Sequence, residues 1–204
     1  MIKAVLFDFD GVLTLDATGS QSICNYICKE TGLEKDLFKK EYKKYNNALL
    51  YGNSTHEEIW EELCAAINKD ITMEILYDSF INTPLNNDML LLAKGIKNKN
   101  YITGMVTDNK KDRMNSIVEY HNLAKLFDSI IVSADIGSGK EEVKIFLETI
   151  KSLNVTAEEC IFIDNQEKNL IVPKELGMNV IYYSHEEKNT AKLVTQLRNL
   201  GVEV

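Results

Sequence analysis

Residues 5–14, Val-Leu-Phe-Asp-Phe-Asp-Gly-Val-Leu-Thr, decide the fold of this chain. The unbroken apolar run Ala4 to Phe7 is typical of a strand that is buried on both faces of a parallel sheet. It ends at two carboxylates, Asp8 and Asp10, which are therefore expected at the carboxyl end of a strand, where open α/β sheets bind their ligands. Gly11 follows at once, and because it lacks a Cβ it lets the backbone leave the strand steeply or approach a ligand closely.

The spacing of the two carboxylates indicates a metal-dependent site. Asp8 and Asp10 repel each other, so a cation or a shared proton is needed to make the arrangement tolerable. Oxygen ligands on a tight loop suit Mg²⁺. An acidic loop that merely caps a strand is the alternative, but the apolar strand before the pair and the residues Gly11 and Thr14 after it favour a catalytic site.

Composition and charge restrict the classes of function. A chain of 204 residues suits one domain, or one domain that carries a smaller insertion. The hydrophobic fraction of 45% and the charged fraction of 26% are ordinary for a globular protein. The net charge of −8 argues against a nucleic-acid partner, because such binding uses clustered Lys and Arg. A small phosphate ester remains compatible, since Mg²⁺ can supply positive charge locally.

The cysteines and the N-terminal residues bear on location. The four cysteines, Cys24, Cys28, Cys64 and Cys160, have no metal-site spacing with histidine, and a reducing compartment suits them. The chain enters its first strand at once, with no signal-peptide core and no apolar run of transmembrane length. We therefore expect a cytoplasmic protein without a membrane partner, present as a monomer or a homodimer.

The remaining pattern divides the chain into two parts. Four consecutive helices are predicted at Ser20 to Thr31, Glu34 to Leu50, from a capping box at Ser54/Glu57 or Thr55/Glu58, and at Thr72 to Phe80. From Asn86 helices, which include Glu167 to Leu176 and a last one from about Glu186 to Leu200, alternate with short strands, predicted at Ile102 to Val106, Ile130 to Val132, Cys160 to Ile163 and Val180 to Tyr183. This alternation predicts an α/β fold with a doubly wound parallel sheet. Residues 1–15 and 85–204 are the expected Rossmann-like catalytic core, and residues 16–84 an inserted helical cap that serves as a lid.

The first motif resembles that of the haloacid dehalogenase superfamily, Asp-x-Asp-Gly-x-x-Thr, matched by Asp8, Asp10, Gly11 and Thr14. The resemblance implies that Asp8 is a nucleophile that becomes an aspartyl phosphate. It also implies that Asp10 is the general acid/base and that its backbone carbonyl helps to hold Mg²⁺. Asp10 excludes a dehalogenase, since those relatives lack the second aspartate and need no metal.

The second motif of the superfamily is resembled by Val-Thr-Asp-Asn at residues 106–109. The resemblance implies that the Thr107 hydroxyl holds a phosphate oxygen. Asp108 and Asn109 are expected to start the next helix, whose first amides would favour an anion, and so to bind phosphate as well. A helix cap without a ligand is the alternative for Thr107 or Asn109.

The third motif is resembled by the stretch Gly-Ser-Gly-Lys-Glu-Glu-Val-Lys-Ile-Phe at residues 137–146. The resemblance implies that Lys140 neutralises the nucleophile and the transferred phosphate. The two prolines of the family's pattern are replaced by Glu141 and Val143. Lys144 is the only nearby competitor, but a lysine at a helix N-terminus, where the dipole disfavours it, is better explained by an anionic partner than by solvent.

The fourth motif is resembled by Phe-Ile-Asp-Asn-Gln-Glu-Lys-Asn-Leu at residues 162–170, and it departs from the family's pattern. Many relatives have two adjacent acids, whereas Asp164 is followed here by Asn165. An amide carbonyl can ligate Mg²⁺, but it removes a formal charge and should weaken binding. Alternatively, Asp164 ligates directly or through water, so the expected metal ligands are Asp8, Asp10 and either Asn165 or Asp164.

The resemblance also implies an architecture and an activity. The first strand should lie between the second and the fourth, and the helical cap corresponds to the small C1 type found in relatives of beta-phosphoglucomutase and phosphoglycolate phosphatase. The implied activity is Mg²⁺-dependent hydrolysis of a small phosphorylated metabolite. A phosphosugar mutase of the beta-phosphoglucomutase type is an alternative, as is a binding protein of this fold without turnover. The cap lysines, Lys39, Lys40, Lys43 and Lys44, are interpreted as a solvated face.

Overall fold

A computed structural model describes residues 1–204 and contains a five-stranded, all-parallel sheet. The strands are β1 (Ala4–Phe7), β2 (Ile102–Thr107), β3 (Ser129–Val132), β4 (Cys160–Asp164) and β5 (Asn179–Tyr182). Their order in the sheet is β3-β2-β1-β4-β5. The first strand therefore lies between the second and the fourth, and the predicted doubly wound α/β fold is confirmed.

Strand β1 shows why its sequence is an unbroken apolar run. All four of its residues have no exposed surface. Ala4 and Leu6 pack into one hydrophobic cluster, and Val5 and Phe7 pack into the other. Because alternate side chains point to opposite faces, a strand covered on both sides needs apolar residues at every position.

Helices cover both faces of the sheet, and six of them precede β2. The helices are α1 (Gly19–Thr31), α2 (Lys35–Tyr42), α3 (Asn46–Leu50), α4 (His56–Ala66), α5 (Met73–Ile81), α6 (Asn87–Asn98), α7 (Lys111–Tyr120), α8 (Ser133–Ile136), α9 (Val143–Leu153), α10 (Ile171–Glu175) and α11 (Thr190–Asn199). We call α1 to α5 the inserted helices. No helix is long and apolar enough to cross a membrane.

The inserted helices have the capping box that the sequence predicts, but one predicted helix is broken into two. The capping box at Thr55 and Glu58 is present and begins α4. The helix predicted from Glu34 to Leu50 is instead interrupted by a short 3₁₀ turn, Lys43–Tyr45, between α2 and α3. Tyrosine and asparagine are modest helix formers, and the run Tyr45-Asn46-Asn47 lies at this break.

Other differences from the sequence prediction lie in short or polar segments. The four-residue helix α8 was not predicted, and the predicted helix from Glu167 to Leu176 is a 3₁₀ turn followed by α10. The last helix begins at Thr190 instead of Glu186, because the Asn189 side chain caps it by accepting a hydrogen bond from the Lys192 amide at 2.9 Å.

The turn after β1 has the steep exit expected from Gly11. Residues Phe9–Leu13 form one wide turn, which the Thr14 amide closes by donating to the Phe9 carbonyl at 3.1 Å. Gly11 has a φ of +84°, which favours glycine, and a Cβ there would lie 2.1 Å from Asn165 Nδ2. Both the backbone conformation and the space therefore require glycine at this position.

The chain leaves the sheet for the inserted helices, and returns from them, along two paired linkers. The Leu15 amide donates to the Pro84 carbonyl at 2.8 Å, and the Asn86 amide donates to the Leu13 carbonyl at 2.9 Å. Thr14 and Leu85 form an antiparallel bridge between these bonds. Both linkers start beside the turn that carries Asp10, so the inserted helices are connected directly to this end of the sheet.

Candidate active site

A cavity of about 550 Å³ lies at the carboxyl ends of β1 and β2. Residues that follow these strands, and the loop before α9, form one side of it. The inserted helices form the other side. The lining includes Asp8, Asp10, Thr107, Asp108 and Lys140 from the sheet side, and Thr18, Gly19, Ser20, Lys39, Tyr42, Lys43 and Asn46 from the inserted side.

Asp8 directly follows β1 and is 3% exposed. Its Oδ1 accepts a hydrogen bond from the Phe9 amide at 2.7 Å and lies 2.8 Å from Lys140 Nζ. Its Oδ2 accepts no hydrogen bond within the protein. One oxygen of Asp8 is therefore fixed in place, while the other remains available to a ligand in the cavity.

Lys140 connects two carboxylates beneath the cavity. Its Nζ lies 2.8 Å from Asp8 Oδ1 and 2.6 Å from Asp164 Oδ2, and the residue is 2% exposed. Burial opposes its charge, but Asp8 and Asp164 outweigh this effect and raise the pKa of the ammonium group above its ordinary value. Lys140 precedes α9, which begins at Val143, and Lys144 instead donates to the Ile136 carbonyl and is exposed.

The electrostatics of Asp8 make a neighbouring cation important. Burial raises the pKa of the Asp8 carboxyl well above its ordinary value, and the Asp164 charge adds to this shift. The Lys140 ammonium opposes the shift. Positive charge near Asp8 therefore favours the ionised form, which is the form that acts as a nucleophile.

Asp164 and Asn165 occupy different environments although they are adjacent. Both oxygens of Asp164 are used, because Oδ2 pairs with Lys140, Oδ1 accepts from the Gln166 amide at 2.7 Å, and Asn169 Nδ2 donates to both. Asn165 Oδ1 is buried and has no hydrogen-bond partner. A buried polar atom without a partner is costly, so the Asn165 carbonyl is suited to accept a bound cation.

Only some of the predicted metal ligands are available to hold Mg²⁺. No group of three or more His, Cys, Asp or Glu side chains is arranged to hold a metal ion. The Asp164 carboxylate is committed to Lys140, whereas Asp8 Oδ2 and Asn165 Oδ1 are free. Gly11 leaves the space that the Asn165 side-chain amide occupies. An all-oxygen donor set of this kind suits Mg²⁺.

Thr107, Asp108 and Asn109 follow one another at the end of β2, but they face different partners. Thr107 ends the strand and lines the cavity. Asp108 Oδ1 accepts from the Lys140 amide at 2.9 Å, and burial raises the pKa of its carboxyl. Asn109 is fully buried and donates to Asp10 Oδ2 at 2.7 Å. The helix begins at Lys111, so neither Asp108 nor Asn109 starts it.

Two backbone amides of this segment already have partners. The Asn109 amide donates to Ser133 Oγ at 2.9 Å, and the Lys110 amide donates to Asn109 Oδ1 at 3.1 Å. These two groups are therefore not free to bind an anion in this structure. Thr107 is the member of the segment whose position in the cavity best suits a phosphate oxygen.

The Asp10 carboxylate is held by an arginine that sequence reasoning missed. Arg113 Nη1 donates to Asp10 Oδ2 at 2.8 Å, and Nη2 donates to Oδ1 at 2.9 Å. Arg113 lies on α7 and has no exposed surface. A signal was present, because Arg113 is four residues before the buried Ile117 and therefore shares a helix face with it.

Lys110 is a second side chain beside the cavity that sequence reasoning missed. It lines the cavity, is 4% exposed, and donates to Ser20 Oγ at 3.0 Å. Its Nζ lies 5.8 Å from the centroid of the Tyr42 ring, and no carboxylate lies within ion-pair distance. Burial lowers its pKa to about 8, and Arg113 contributes to the shift. Lys110 is thus a buried cation without a counter-ion beside the cavity.

A buried histidine connects the inserted helices to α7. His56 Nδ1 lies 2.7 Å from Asp112 Oδ2, and its Nε2 lies 2.6 Å from the Tyr42 hydroxyl. The His56 amide also donates to Asp112 Oδ2, at 3.2 Å. Burial lowers the pKa of His56, which favours the neutral ring. Tyr42 lines the cavity, so this chain of contacts fixes part of its wall.

The site thus combines a buried aspartate at the end of the central strand with a lysine from the crossover between β3 and β4. The sequence matches the haloacid dehalogenase-like hydrolase family over residues 5–183. The chain therefore belongs to that family, and the predicted superfamily and enzyme class are confirmed.

Relatives and solved structures agree with this assignment. The chain is 24% identical over 196 residues to a glyceraldehyde 3-phosphate phosphatase of Methanopyrus kandleri, covering 87% of this chain and 82% of that protein. It is 23% identical over 220 residues to bifunctional epoxide hydrolase 2 of Rattus norvegicus, covering 98% of this chain but only 39% of that protein. A structure of a family enzyme from Bacteroides thetaiotaomicron in complex with magnesium and inorganic phosphate shares the fold, with a TM-score of 0.70, 16% identity, and coverage of 89% and 94%.

Proposed function

We propose that the protein hydrolyses a small phosphate monoester, with Mg²⁺ as cofactor, through an aspartyl phosphate on Asp8. The observation that carries this proposal is the half-engaged Asp8 carboxylate, which Lys140 holds by Oδ1 while Oδ2 stays free beside the cavity. The phosphatase name of the Methanopyrus kandleri relative supports hydrolysis, and nothing in the geometry favours a mutase over it.

The reaction follows from the positions of four side chains. Asp8 Oδ2 attacks phosphorus in line with the leaving oxygen, and the Asp8–phosphate bond forms as the ester bond breaks. Lys140 and Thr107 stabilise the charge on the equatorial oxygens. Asp10 gives a proton to the leaving alcohol and then takes one from the water that hydrolyses the aspartyl phosphate. Inorganic phosphate and an alcohol are the products.

Asn165, and not Asp164, is the better candidate for the side chain that completes the metal site. Asp164 would have to leave Lys140 and Asn169 to ligate, whereas Asn165 Oδ1 has no partner to lose. Asp8, the Asp10 carbonyl and Asn165 would hold the ion. When bound, Mg²⁺ supplies positive charge to the phosphate and to the Asp8 carboxylate.

The inserted helices, with their linkers at residues 16–84, are proposed as a cap over the reaction. They line one side of the cavity, and the linkers meet the sheet next to Asp10. Their contact with the rest of the protein includes the polar pair His56–Asp112 and the packing of α5 on α7. A cap held this way can exclude bulk water while the phosphoenzyme forms.

The cavity wall favours an anionic substrate. Two of the four cap lysines, Lys39 and Lys43, line the cavity instead of forming only a solvated face, and Lys110 adds a third cation. A small phosphorylated metabolite is attracted by these charges, and a nucleic acid is not accommodated by a cavity of about 550 Å³.

The test is an assay of the wild-type protein on p-nitrophenyl phosphate with Mg²⁺, followed by removal of the metal with a chelator. We expect turnover that is lost on chelation and restored by added Mg²⁺. Full activity in the presence of the chelator would contradict the metal-dependent mechanism, and absence of turnover on the aryl ester and on a panel of sugar and triose phosphates would contradict the hydrolase. With β-glucose 1-phosphate, release of inorganic phosphate distinguishes hydrolysis from the mutase, which forms glucose 6-phosphate instead.

A further inference from the structure

We propose that Arg113 is a positioning residue for Asp10, which it holds in the orientation required for both proton transfers. This inference rests on the proposed function, because it concerns the general acid/base of that reaction. It assigns a role to a residue that lies outside the four motifs, four positions after the last residue of the second.

The contact has the geometry of a fork. The two terminal nitrogens of Arg113 donate to the two oxygens of Asp10 at 2.8 and 2.9 Å, and Asn109 Nδ2 donates to Oδ2 at 2.7 Å. A bidentate arginine–carboxylate pair defines the plane of the carboxylate as well as its distance. The orientation of Asp10 is therefore set by these three donors.

Arg113 is itself held firmly. Nη1 also donates to Asn109 Oδ1 at 2.8 Å, Nη2 donates to Thr83 Oγ1 at 3.2 Å, and the guanidinium lies 5.6 Å from the centroid of the Phe9 ring. The residue has no exposed surface. A buried ion pair adds little net stability compared with a well-packed apolar replacement, so stability alone does not explain this arrangement.

Gly19, in the inserted helices, leaves room for the Asp10–Arg113 pair. Gly19 is the first residue of α1, and a Cβ there would lie 2.4 Å from Arg113 Nη1 and 2.9 Å from Asp10 Oδ2. Atoms cannot approach this closely, so any larger residue at this position displaces the pair or the helix. The start of α1 is thus built against the Asp10–Arg113 pair.

The consequence for the reaction is specific. Asp10 acts twice, as an acid for the leaving alcohol and as a base for water, and a misplaced carboxylate slows both steps. The first step needs little help when the leaving group is a stabilised phenolate, whereas hydrolysis of the aspartyl phosphate always needs the base. Loss of Arg113 therefore makes hydrolysis of the phosphoenzyme rate-limiting on an aryl phosphate.

The test compares Arg113→Met and Arg113→Lys with Arg198→Met, a matched change at the chain's exposed arginine. In rapid-mixing experiments with p-nitrophenyl phosphate, we expect Arg113→Met to release a burst approaching one equivalent of p-nitrophenolate before a slow steady state. The steady-state rate should fall about 100-fold, as for a catalytic group misplaced by about 1 Å. On an alkyl phosphate such as glycerol phosphate the loss should be larger, with no burst.

Two controls separate positioning from general damage. Arg113→Lys restores the charge without the fork and should recover part of the rate, and Arg198→Met should behave as wild type. An equal loss on both substrates without a burst, or wild-type kinetics in folded Arg113→Met, would overturn the inference. If the wild-type protein itself has no phosphatase activity, the proposed function fails first, so the two failures are distinguishable.

A second variant decides the case in which Arg113→Met does not fold. Gly19→Ala removes no proposed catalytic side chain but puts a methyl group against the pair, whereas Gly95→Ala, on α6, meets nothing within 4 Å. We expect Gly19→Ala to show the burst and Gly95→Ala to match wild type. Folded Gly19→Ala with unchanged kinetics on both substrates would count against the positioning role.

Discussion

Asp8 and Asp10 are two residues apart, yet they are held by different cations from different parts of the fold. Lys140, from the loop before α9, reaches Asp8 at 2.8 Å, and Arg113, from α7, grips both oxygens of Asp10. Lys140 lines the cavity, whereas Arg113 does not. One carboxylate therefore keeps an oxygen free, and the other is oriented through both of its oxygens.

The difference follows from the chemistry of the two cations. An ammonium group is a compact charge that can be shared between Asp8 and an incoming phosphate, whereas a guanidinium is a rigid fork that fixes one carboxylate plane. We infer that the contact between Lys140 and Asp8 changes as phosphate is transferred, whereas the contact between Arg113 and Asp10 keeps its geometry. Changes on the two sides should then have different signatures.

The largest effect is expected for Asp8→Asn, which removes the proposed nucleophile. An amide cannot form the phosphoenzyme, so the turnover number should fall by at least about 10⁴-fold, as for the removal of a covalent catalyst. Steady-state assays and mass spectrometry of the acid-quenched protein measure the rate and the missing phosphoryl adduct. Near-normal turnover in folded Asp8→Asn would exclude Asp8 as the nucleophile.

Lys140→Met should have the next largest effect, because it leaves Asp8 and Asp164 buried without their shared cation. We expect the turnover number to fall by about 10²–10³-fold, the loss typical of one electrostatic contact in the transition state. The free energy of unfolding should also fall, by about 3–5 kcal/mol, since two buried carboxylates lose their partner. Lys144→Met is the matched control, and similar losses in both variants would contradict the role of Lys140.

Asn165→Asp tests which residue of the fourth motif completes the metal site. An added carboxylate that ligates Mg²⁺ should lower the half-saturating Mg²⁺ concentration by roughly tenfold, equivalent to about 1.4 kcal/mol. Asp164→Asn, in contrast, should lower the turnover number by weakening Lys140, with a smaller change in metal dependence. Titration of activity with Mg²⁺ distinguishes them, and an unchanged titration for Asn165→Asp places its side chain outside the metal site.

Replacement of Lys110 should have the smallest effect, and it should change how KM depends on pH. Burial lowers the pKa of Lys110 to about 8, so the ammonium is present below this pH and is lost as the pH rises through it. The KM for an anionic substrate should therefore increase above about pH 8. Lys110→Met should raise the KM several-fold at pH 7, as expected for the loss of one contact worth about 1 kcal/mol, and should remove this pH dependence. A KM in Lys110→Met that still rises above pH 8 would assign the effect to another group.

Much of the fold was predictable because each strand carries its own signal. The apolar run Ala4–Phe7 identified the central strand, and Asp8, Thr107 and Asp164 lie at the ends of adjacent strands where the motifs put them. Each of these statements needs only local sequence and the rule that parallel strands end at one edge. The break in the helix at Lys43–Tyr45 was missed because the helix propensities of the residues there neither require a continuous helix nor exclude one.

The partners of the acids could not be predicted in the same way. Asp10 and Arg113 are separated by 103 positions, and nothing local distinguishes Arg113 from a solvated helix residue except its shared face with Ile117. The commitment of Asp164 to Lys140 depends likewise on a contact across 24 positions. Ion pairs between distant segments depend on how the segments pack. From the sequence alone, each acid could pair with many different lysines or arginines.

The paired linkers mean that the chain departs from the sheet and rejoins it at almost one point, with Thr14 opposite Leu85. Segments with adjacent ends are exchanged between proteins more easily than others, because the flanking elements need not move when the segment changes length. A hairpin turn of about two residues could join Thr14 to Leu85 and delete residues 15–84 without shifting β1 or α6. Such a miniature would then expose the face of α7 on which α5 now packs, and it would need polar replacements there to remain dispersed in water.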